Sequence, residues 1–326
     1  MAAPSDAPPH SQFYLFGTPI SHSLSPTFHN TLFRALDLSQ HAYTRHETPT
    51  FSDPSVLALL QSPSFGGAAV TMPHKLAVLE YMDEIAPEVQ EVGSMNTVVV
   101  LPDGKLLGRN TDTEGIRRAL VATLPSEEQR NSKRPFGEGR SAIIIGGGGT
   151  TRAAIYALSS MGLSPLYLIN RDPEETSSII ATPAFAKYDL RALESEENWT
   201  AEDAEKVACG VGAIPSFEPQ TEGEKMVYRV AEKVFETSGK LEGKRPLMEM
   251  AYKPHQTLMY KLAQRHGWHP IGGIEALVHQ AAAQQRYWLL ESPVTRRAGV
   301  TEEKLAEAAR VAAQTVRREA GAPGAV

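Results

Sequence analysis

Residues 141–162 read SAIIIGGGGTTRAAIYALSSMG, and this stretch decides the fold class. Ala142 to Ile145 form a short apolar run of strand length, Gly146 to Gly149 a turn, and Thr151 to Met161 an apolar stripe at helical spacing that stops at Gly162. LYLIN, at 166–170, follows as a second strand. A strand, a glycine turn, a helix and a parallel strand make the first crossover of a dinucleotide-binding sheet. Gly146 and Gly148 permit the tight turn and the close approach of backbone to a pyrophosphate, whose charge the helix start at Gly149, Thr150 and Thr151 receives. Thr151 stands where Gly or Ala is more usual. A plain steric turn is the competing explanation.

The second strand ends at Asn170-Arg171-Asp172-Pro173-Glu174-Glu175, near the distance at which such sheets meet the adenosine ribose. A 2′-phosphate needs cationic donors, whereas a free 2′-hydroxyl suits a carboxylate that would repel the phosphate. Arg171 can stack on adenine or bind phosphate. Asp172, Glu174 and Glu175 tilt the local potential toward NAD rather than NADP, unless the two glutamates are solvated helix-start charges.

Working outward, residues 125–140 are crowded with charge, Pro and Gly and read as an exposed connection. Before it, strand-like and helix-like segments alternate: FYLFG, a helix over 26–36, HAYTRHET, a helix over 55–62, GGAAVT, a helix over 74–85 and NTVVVL. Alternation of this kind indicates an α/β domain. From Ile274 onward the sequence turns helical again. With 326 residues, 41% hydrophobic and 21% charged, the chain has material for two domains with separate cores. A net charge of −6 supplies no basic field for nucleic acid or an anionic membrane, and no apolar run is long enough to span a bilayer. A small-molecule partner fits better. The one cysteine, Cys209, forms no internal disulfide and suits a reducing, cytoplasmic setting. Residues 1–10 and 321–326 read as disordered tails.

Four polar clusters stand where strands give way to helices or loops, the place at which open α/β sheets hold ligands. They are Ser21-His22-Ser23-Leu24-Ser25-Pro26, Thr71-Met72-Pro73-His74-Lys75, Ser94-Met95-Asn96-Thr97 and Gly108-Arg109-Asn110-Thr111-Asp112. Their hydroxyls, amides, amine and carboxylate are what a ring bearing hydroxyls and a carboxylate requires. Singly, each has an ordinary explanation. Ser25-Pro26 suits a helix N-cap and first turn, Asn96 and Asn110 suit turns, Lys75 a solvated helix start, and Asp112 the cap of a helix over 114–120.

Together the clusters carry a resemblance. FGTPISHSLSPTFHN, VTMPHK, GSMNT, GRNTDTEG, GGGGTTRAA, EMAYKPHQT and GGIEALVHQAAAQQRYW resemble, in unbroken order from Phe13 to Trp288, the motifs of the shikimate/quinate dehydrogenase family. VTMPHK and the Glu-Met-Ala-Tyr-Lys-Pro run look most like the fungal quinate dehydrogenases and the shikimate dehydrogenase portion of the fungal five-activity protein. The resemblance implies a two-domain α/β architecture. Residues 11–118 would form the substrate-binding catalytic domain, 276–320 would return to it, and 119–275 would be the Rossmann-like NAD(P) domain. It implies Lys75 and Asp112 as the catalytic pair, and Ser23 and Ser25, with Tyr252 nearby, on the substrate carboxylate. Thr71, Asn96 and Gln280 would take the ring hydroxyls. Ala213 and Gly273 would join Gly146, Gly148, Gly149, Thr150, Thr151, Asn170, Arg171 and Asp172 around the cofactor. No metal is implied, and the chain would work as a monomer or homodimer.

The sequence also departs from the family pattern. Ala69 replaces a common Asn, Ala276 replaces a Met that normally lies near the nicotinamide, and the cofactor-domain strand end reads Gly212-Ala213-Ile214-Pro215. An arginine expected a few residues past Arg171 in NADP-using members is missing, which agrees with the charge argument for NAD.

Oxidising a ring alcohol sends a hydride to the nicotinamide and a proton to a base. Lys75 is the better proton carrier, with Asp112 orienting the hydroxyl. The expected reaction is reversible oxidation of quinate to 3-dehydroquinate, of shikimate to 3-dehydroshikimate, or both. The alternatives are an NADP-dependent shikimate dehydrogenase of aromatic amino-acid biosynthesis, a relative acting on an amino-substituted ring acid, and a catalytically silent sensor.

Overall fold

A computed structural model describes residues 11–240, 243–292, 294–297 and 299–321. The expected tails at 1–10 and 321–326 lie outside these residues, Gly321 apart. The chain divides into two compact units, one running to Thr111 and resuming at Gln280, the other Asp112–His279.

The first unit contains β1 (Gln12–Gly17), α1 (Ser25–Ala35), β2 (Ala42–Glu47), α2 (Pro54–Leu60), β3 (Phe65–Val70), β4 (Glu84–Ile85), α3 (Pro87–Val92), β5 (Thr97–Val100) and β6 (Leu106–Arg109). Its sheet has the order β2-β1-β3-β5-β6-β4. β2, β1 and β3 are parallel, whereas β5 and β6 form an antiparallel hairpin on the far side of β3. β3 and β5 are buried along their whole length, as central strands covered on both faces must be. Phe16, Phe51, Val56, Val70, Val89 and Val98 are among the residues packed on one face.

The segment 74–85, expected as an α-helix, is instead a series of turns with a 3₁₀ helix over Ala77–Tyr81, followed by β4. The cause lies outside the segment. The Lys75 carbonyl accepts the Met95 backbone N–H at 2.9 Å, so it is not given to Leu79, whose N–H pairs with Leu76 O at 3.2 Å. The i→i−3 pattern is the tighter helix that results.

The second unit contains α4 (Asp112–Val121), α5 (Glu127–Asn131), β7 (Ser141–Ile145), α6 (Gly149–Ser160), β8 (Leu166–Ile169), α7 (Pro173–Ile180), β9 (Leu190–Ala192), α8 (Ala201–Lys206), β10 (Val207–Gly212), α9 (Glu222–Gly239), β11 (Pro246–Glu249), α10 (Leu258–Arg265) and β12 (His269–Ile271). All six strands are parallel, in the order β12-β11-β10-β7-β8-β9. This is the doubly wound order, with its switch point between β7 and β10. α9 packs Val227, Val230, Val234 and Phe235 against Ile143, Ile145 and Leu247 of the sheet. The exposed 125–140 connection holds one short helix, α5, capped by Ser126. Cys209 is buried in β10, where burial pushes its thiol up.

α11 (Gly273–Arg286) starts in the second unit and ends in the first, continues as a wider turn over Tyr287–Glu291, and is followed by α12 (Glu302–Glu319). Three side-chain donors spaced four residues apart meet three carbonyls spaced two apart. Gln284 Nε2 reaches Asn96 O at 3.3 Å, Trp288 Nε1 reaches Val98 O at 2.9 Å, and Ser292 Oγ reaches Val100 O at 2.8 Å. Gly67 on β3 makes room for Trp288, since a Cβ there would stand 2.5 Å from the indole nitrogen.

Two buried imidazoles couple this unit to pH. His29 is fully buried, stacks on Tyr43 with ring centroids 4.2 Å apart, and lies 2.7 Å from the Gln285 amide nitrogen through Nδ1. Burial holds its pKa down at about 3, with the Gln284 side chain opposing. His41 is held at about 4 by burial and by the Arg297 guanidinium. Both folded values lie below the ordinary 6.5. The stability these groups contribute is therefore complete above that value and is lost as pH falls toward the folded values, because the unfolded chain takes protons that the folded one refuses. The urea midpoint should fall between pH 6.5 and about 4 more steeply in the wild type than in His29→Leu. Parallel curves for the two proteins would contradict this account.

Candidate active site

In the first unit the site is built at the end of the sheet where β1 and β3 stop. Gly17 must be small there, since a Cβ would stand 2.4 Å from Thr71 Cγ2. The two strand ends then close on each other, with Thr71 N donating to Phe16 O at 2.9 Å and Thr18 N to Met72 O at 3.0 Å. The loop after β1 leads to Ser23 and Ser25, both buried. Ser23 Oγ accepts the Ser25 backbone N–H at 3.3 Å, and Ser23 O accepts the Arg45 guanidinium. Leu24, not Ser25, occupies the N-cap of α1. The Ser25 hydroxyl, for which capping was the ordinary alternative, has no partner among the described residues.

The loop after β3 carries Thr71 and Lys75. His74 is buried and pins the loop from beneath, with Nε2 2.8 Å from Thr48 O. Lys75 is half-buried, and its backbone is tied to Met95 as described above. Asn96 follows at the open end of the β5–β6 hairpin, where Thr97 faces Arg109 in register. This register brings the two Asn-Thr motifs side by side. Asn96 Oδ1 accepts from Thr97 Oγ1 at 2.8 Å, Thr111 N at 2.8 Å and Thr111 Oγ1 at 3.1 Å. Asn110 turns the other way, its amide donating to Ser94 O at 2.9 Å. Gln280 of α11 joins from the side, with Oε1 3.2 Å from Thr111 Oγ1 and 3.5 Å from Asn96 Nδ2. Asn96, Thr111 and Gln280 thus form one polar cluster within the unit, with Thr71 next to Val70, which donates to Asn96 O at 2.8 Å.

In the second unit the site lies at the switch point, at the carboxyl ends of β7 and β10. Gly146 adopts φ +131°, and a Cβ there would meet Ala213 O at 3.0 Å and Thr151 Oγ1 at 3.2 Å. Thr151 is fully buried against it. Gly148 is the N-cap of α6, and the space where a Cβ would stand is open. A helix of twelve residues therefore begins with open space beside Gly148. This geometry fits a dinucleotide pyrophosphate held by Gly148, Gly149 and Thr150.

The end of β8 places Asn170, Arg171 and Asp172 beside that turn. Asp172 caps α7, its carboxylate accepting from Glu174 N at 2.9 Å and Glu175 N at 3.2 Å. Arg171 pairs with Glu224 at 2.7 Å, and Glu224 is held at about 2 by the Gln220 and Thr221 backbone N–H groups and by that arginine. Glu175 is more than a solvated helix-start charge. Its Oε2 accepts from Asn170 Nδ2 at 2.8 Å and would lie 2.0 Å from a Cβ at Gly147, so the carboxylate rests on the glycine turn.

Asp112 is buried as the first residue of α4. Tyr252, half-buried, follows β11. Gly273 starts α11 hard against this loop, where a Cβ would stand 2.5 Å from Met250 O and 2.8 Å from Ala251 O. Glu249, at the end of β11, is buried beside Gly212, and burial pushes its carboxyl well above the usual carboxylate range against the opposing Ala251 N–H.

Sequence reasoning did not single out Thr97, Thr111, Gln284 or Glu249. The first two stood inside motifs already marked, and an Asn followed by Thr at a hairpin mouth was the available signal. Gln284 had the signal of standing one helical turn after Gln280.

Residues 15–98 match the shikimate dehydrogenase substrate binding domain. Over the chain as a whole, the fold is similar to solved shikimate dehydrogenases. A shikimate 5-dehydrogenase from Mycobacterium fortuitum is 27% identical, with 94% of this chain and 98% of that one covered and a TM-score of 0.69. The shikimate 5-dehydrogenase from Thermus thermophilus, solved with NADP(H) and shikimate, is 27% identical, with 92% and 99% covered and a TM-score of 0.65. The dehydroquinate dehydratase and shikimate dehydrogenase from S. pombe AroM is 30% identical, with 93% of this chain covered and a TM-score of 0.67; the chain spans 52% of that protein's length. On the substrate-domain match and the two-sheet α/β likeness together, the chain fits the shikimate/quinate dehydrogenase family.

Proposed function

We propose that the chain is an NAD(P)-dependent dehydrogenase that reversibly oxidises a ring alcohol of shikimate, of quinate, or of both. One observation carries the reading. Thr71, Asn96 and Gln280, together with the Lys75 loop, gather at one end of a sheet and bring hydroxyl, amide and amine groups together. Hydroxyls and amides so placed match a polyhydroxylated ring, and the Ser23 and Ser25 hydroxyls at the start of α1 match its carboxylate. The Thermus thermophilus relative, which binds shikimate and NADP(H), supports the same chemistry.

When bound, the dinucleotide supplies the hydride acceptor. The chain's own task is to move the proton. Lys75 Nζ takes it from the ring hydroxyl in oxidation and returns it to the carbonyl oxygen in reduction, and Asp112 orients the hydroxyl. The first unit serves as substrate domain and the second as dinucleotide domain, in a cytoplasmic monomer or homodimer.

For the cofactor we infer a preference for NAD. The relatives do not support this preference; the supporting features are local. Glu175 lies on the glycine turn, Asp172 stands at the ribose end of β8, and Arg171 is already paired with Glu224. A 2′-phosphate at that end would meet a carboxylate before it met an unpaired cation.

Lys75→Ala should lower kcat by about a hundred- to ten-thousand-fold while dinucleotide binding and the melting temperature stay close to wild type. Retention of more than about a tenth of the rate removes Lys75 from the proton step. Initial rates for shikimate and quinate with each dinucleotide should show turnover favoured by NAD. Glu175→Gln should lower the KM for NADP relative to NAD by about fivefold, the size expected for one like-charge contact of about 1 kcal/mol near the surface. An unchanged ratio excludes Glu175 as a determinant. Absence of turnover with both acids and both dinucleotides, with binding retained, would replace the enzyme reading by that of a silent sensor.

A further inference from the structure

We infer that Arg45 is a specificity determinant for the acid group of the ring: its guanidinium supplies the positive charge at the carboxylate end of the site, which the serine hydroxyls do not carry. The inference rests on the reading of Ser23 and Ser25 as the partners of that carboxylate.

Arg45 lies two residues past Tyr43 on β2 and so projects from the same face of the sheet. That face is the one α1 covers. Tyr43 stacks on His29, and the Asn30 amide donates to Tyr43 O and accepts from Tyr43 N, both at 2.9 Å. Two residues farther along β2 the chain is level with the approach to α1, and there the Arg45 guanidinium donates to Ser23 O. Arg45 makes no other hydrogen bond and no ion pair among the described residues. Glu47, the next side chain on that face, takes the Thr18 hydroxyl at 3.0 Å and leaves the arginine uncompensated.

What the guanidinium adjoins is a place already suited to an anion. Ser23 and Ser25 are each 7% exposed, and the Ser25 hydroxyl is unpartnered among the described residues. α1, eleven residues long, has no acid in its first turn to offset the partial positive charge of its start. The Ser23 carbonyl that holds Arg45 and the Ser23 hydroxyl belong to one residue. Standard bond and hydrogen-bond lengths therefore put the guanidinium within about 8 Å of a carboxylate seated on the hydroxyls. At that range it acts through its field, without having to touch the ring acid. A hydroxyl donates to an ester oxygen as readily as to a carboxylate oxygen, whereas a charge distinguishes the two. Arg45 is thus the group that separates ring acids from their neutral analogues.

Arg45→Met removes the charge from an exposed position, and Arg45→Lys keeps it. With saturating dinucleotide, Arg45→Met should raise the KM for shikimate, or for quinate if that is the acid turned over, by about fivefold, the size expected of one exposed charge at this distance. The kcat and the dinucleotide KM should stay close to wild type. The methyl ester of the same acid, followed as substrate or as competitive inhibitor, should bind equally to wild type and Arg45→Met, and Arg45→Lys should recover most of the acid KM. Added salt should raise the acid KM of the wild type more steeply than that of Arg45→Met. The inference is overturned if Arg45→Met weakens acid and ester alike, which would make Arg45 a tie for the Ser23 loop and nothing more, or if neither the acid KM nor its salt dependence moves. An unchanged acid KM in Ser25→Ala would instead sink the reading of the serines as carboxylate partners, and the inference with it.

Discussion

Asn96 is buried at the meeting point of three strand ends and a helix. Its carbonyl accepts from Val70 and from Gln284, its N–H donates to Arg109 O at 3.0 Å, and its side-chain oxygen takes three further donors. A buried amide left unpaired costs about 1–3 kcal/mol for each group. The surrounding chain is therefore held in the one register that satisfies all of these groups. Moving β6 by one residue would remove the Arg109 and Thr111 bonds, and moving α11 would remove the Gln284 bond. The candidate site is a by-product of this constraint, because Thr71 follows Val70 directly and the Lys75 carbonyl is bonded to the N–H of Met95, the residue before Asn96.

Much of this architecture could be read from the sequence. Ala142–Ile145, the glycines and the amphipathic stripe to Gly162 announce a parallel crossover, and the six-stranded parallel sheet contains it as β7, α6 and β8. The places where the reading stopped are those decided by distant partners. The segment 74–85 has helical spacing, yet the Lys75 carbonyl is claimed by Met95, twenty residues on, and local periodicity carries no trace of that claim. The pairing of the two Asn-Thr motifs is likewise a matter of hairpin register between β5 and β6, set by Thr97 facing Arg109. Their presence was visible in the sequence; their adjacency was not. Asn96 and Gln280 were singled out within family motifs, whereas Thr97 and Gln284, which stand in the same motifs and bond beside them, were not.

The second unit shows the same principle in electrostatic form. Counting charges after β8 gave one cation and three acids, which treats all four as equal. The structure separates them. Arg171 is neutralised by Glu224, itself fixed by two backbone N–H groups of the α9 capping turn; Asp172 is shared with the start of α7; and Glu175 is turned back over Gly147 by Asn170. Glycine at 147 is what allows that carboxylate to settle, since a side chain there would collide with it. The turn thus has two distinct glycine requirements, backbone conformation at Gly146 and room for an acid at Gly147, and a motif written only in glycines does not distinguish them.

The register of α11 links these local constraints to the fold. Residues 284, 288 and 292 advance about 6 Å for each four-residue step if helical, and carbonyls 96, 98 and 100 advance about 6.8 Å for each two-residue step along a strand. The two repeats are close enough for three successive donors to find three successive acceptors. Any single bond in this ladder is worth about 1 kcal/mol, too little to dictate a helix position. A slip of one residue would rotate the donor face by about 100° and break all three together. Position along β5 is therefore set cooperatively, and Gln280, one turn before Gln284, is carried to Asn96 and Thr111 by a helix whose placement is decided by the residues after it. Gly67 completes the argument from the other strand, because a side chain there would lift Trp288 off Val98 and disrupt the ladder at its middle.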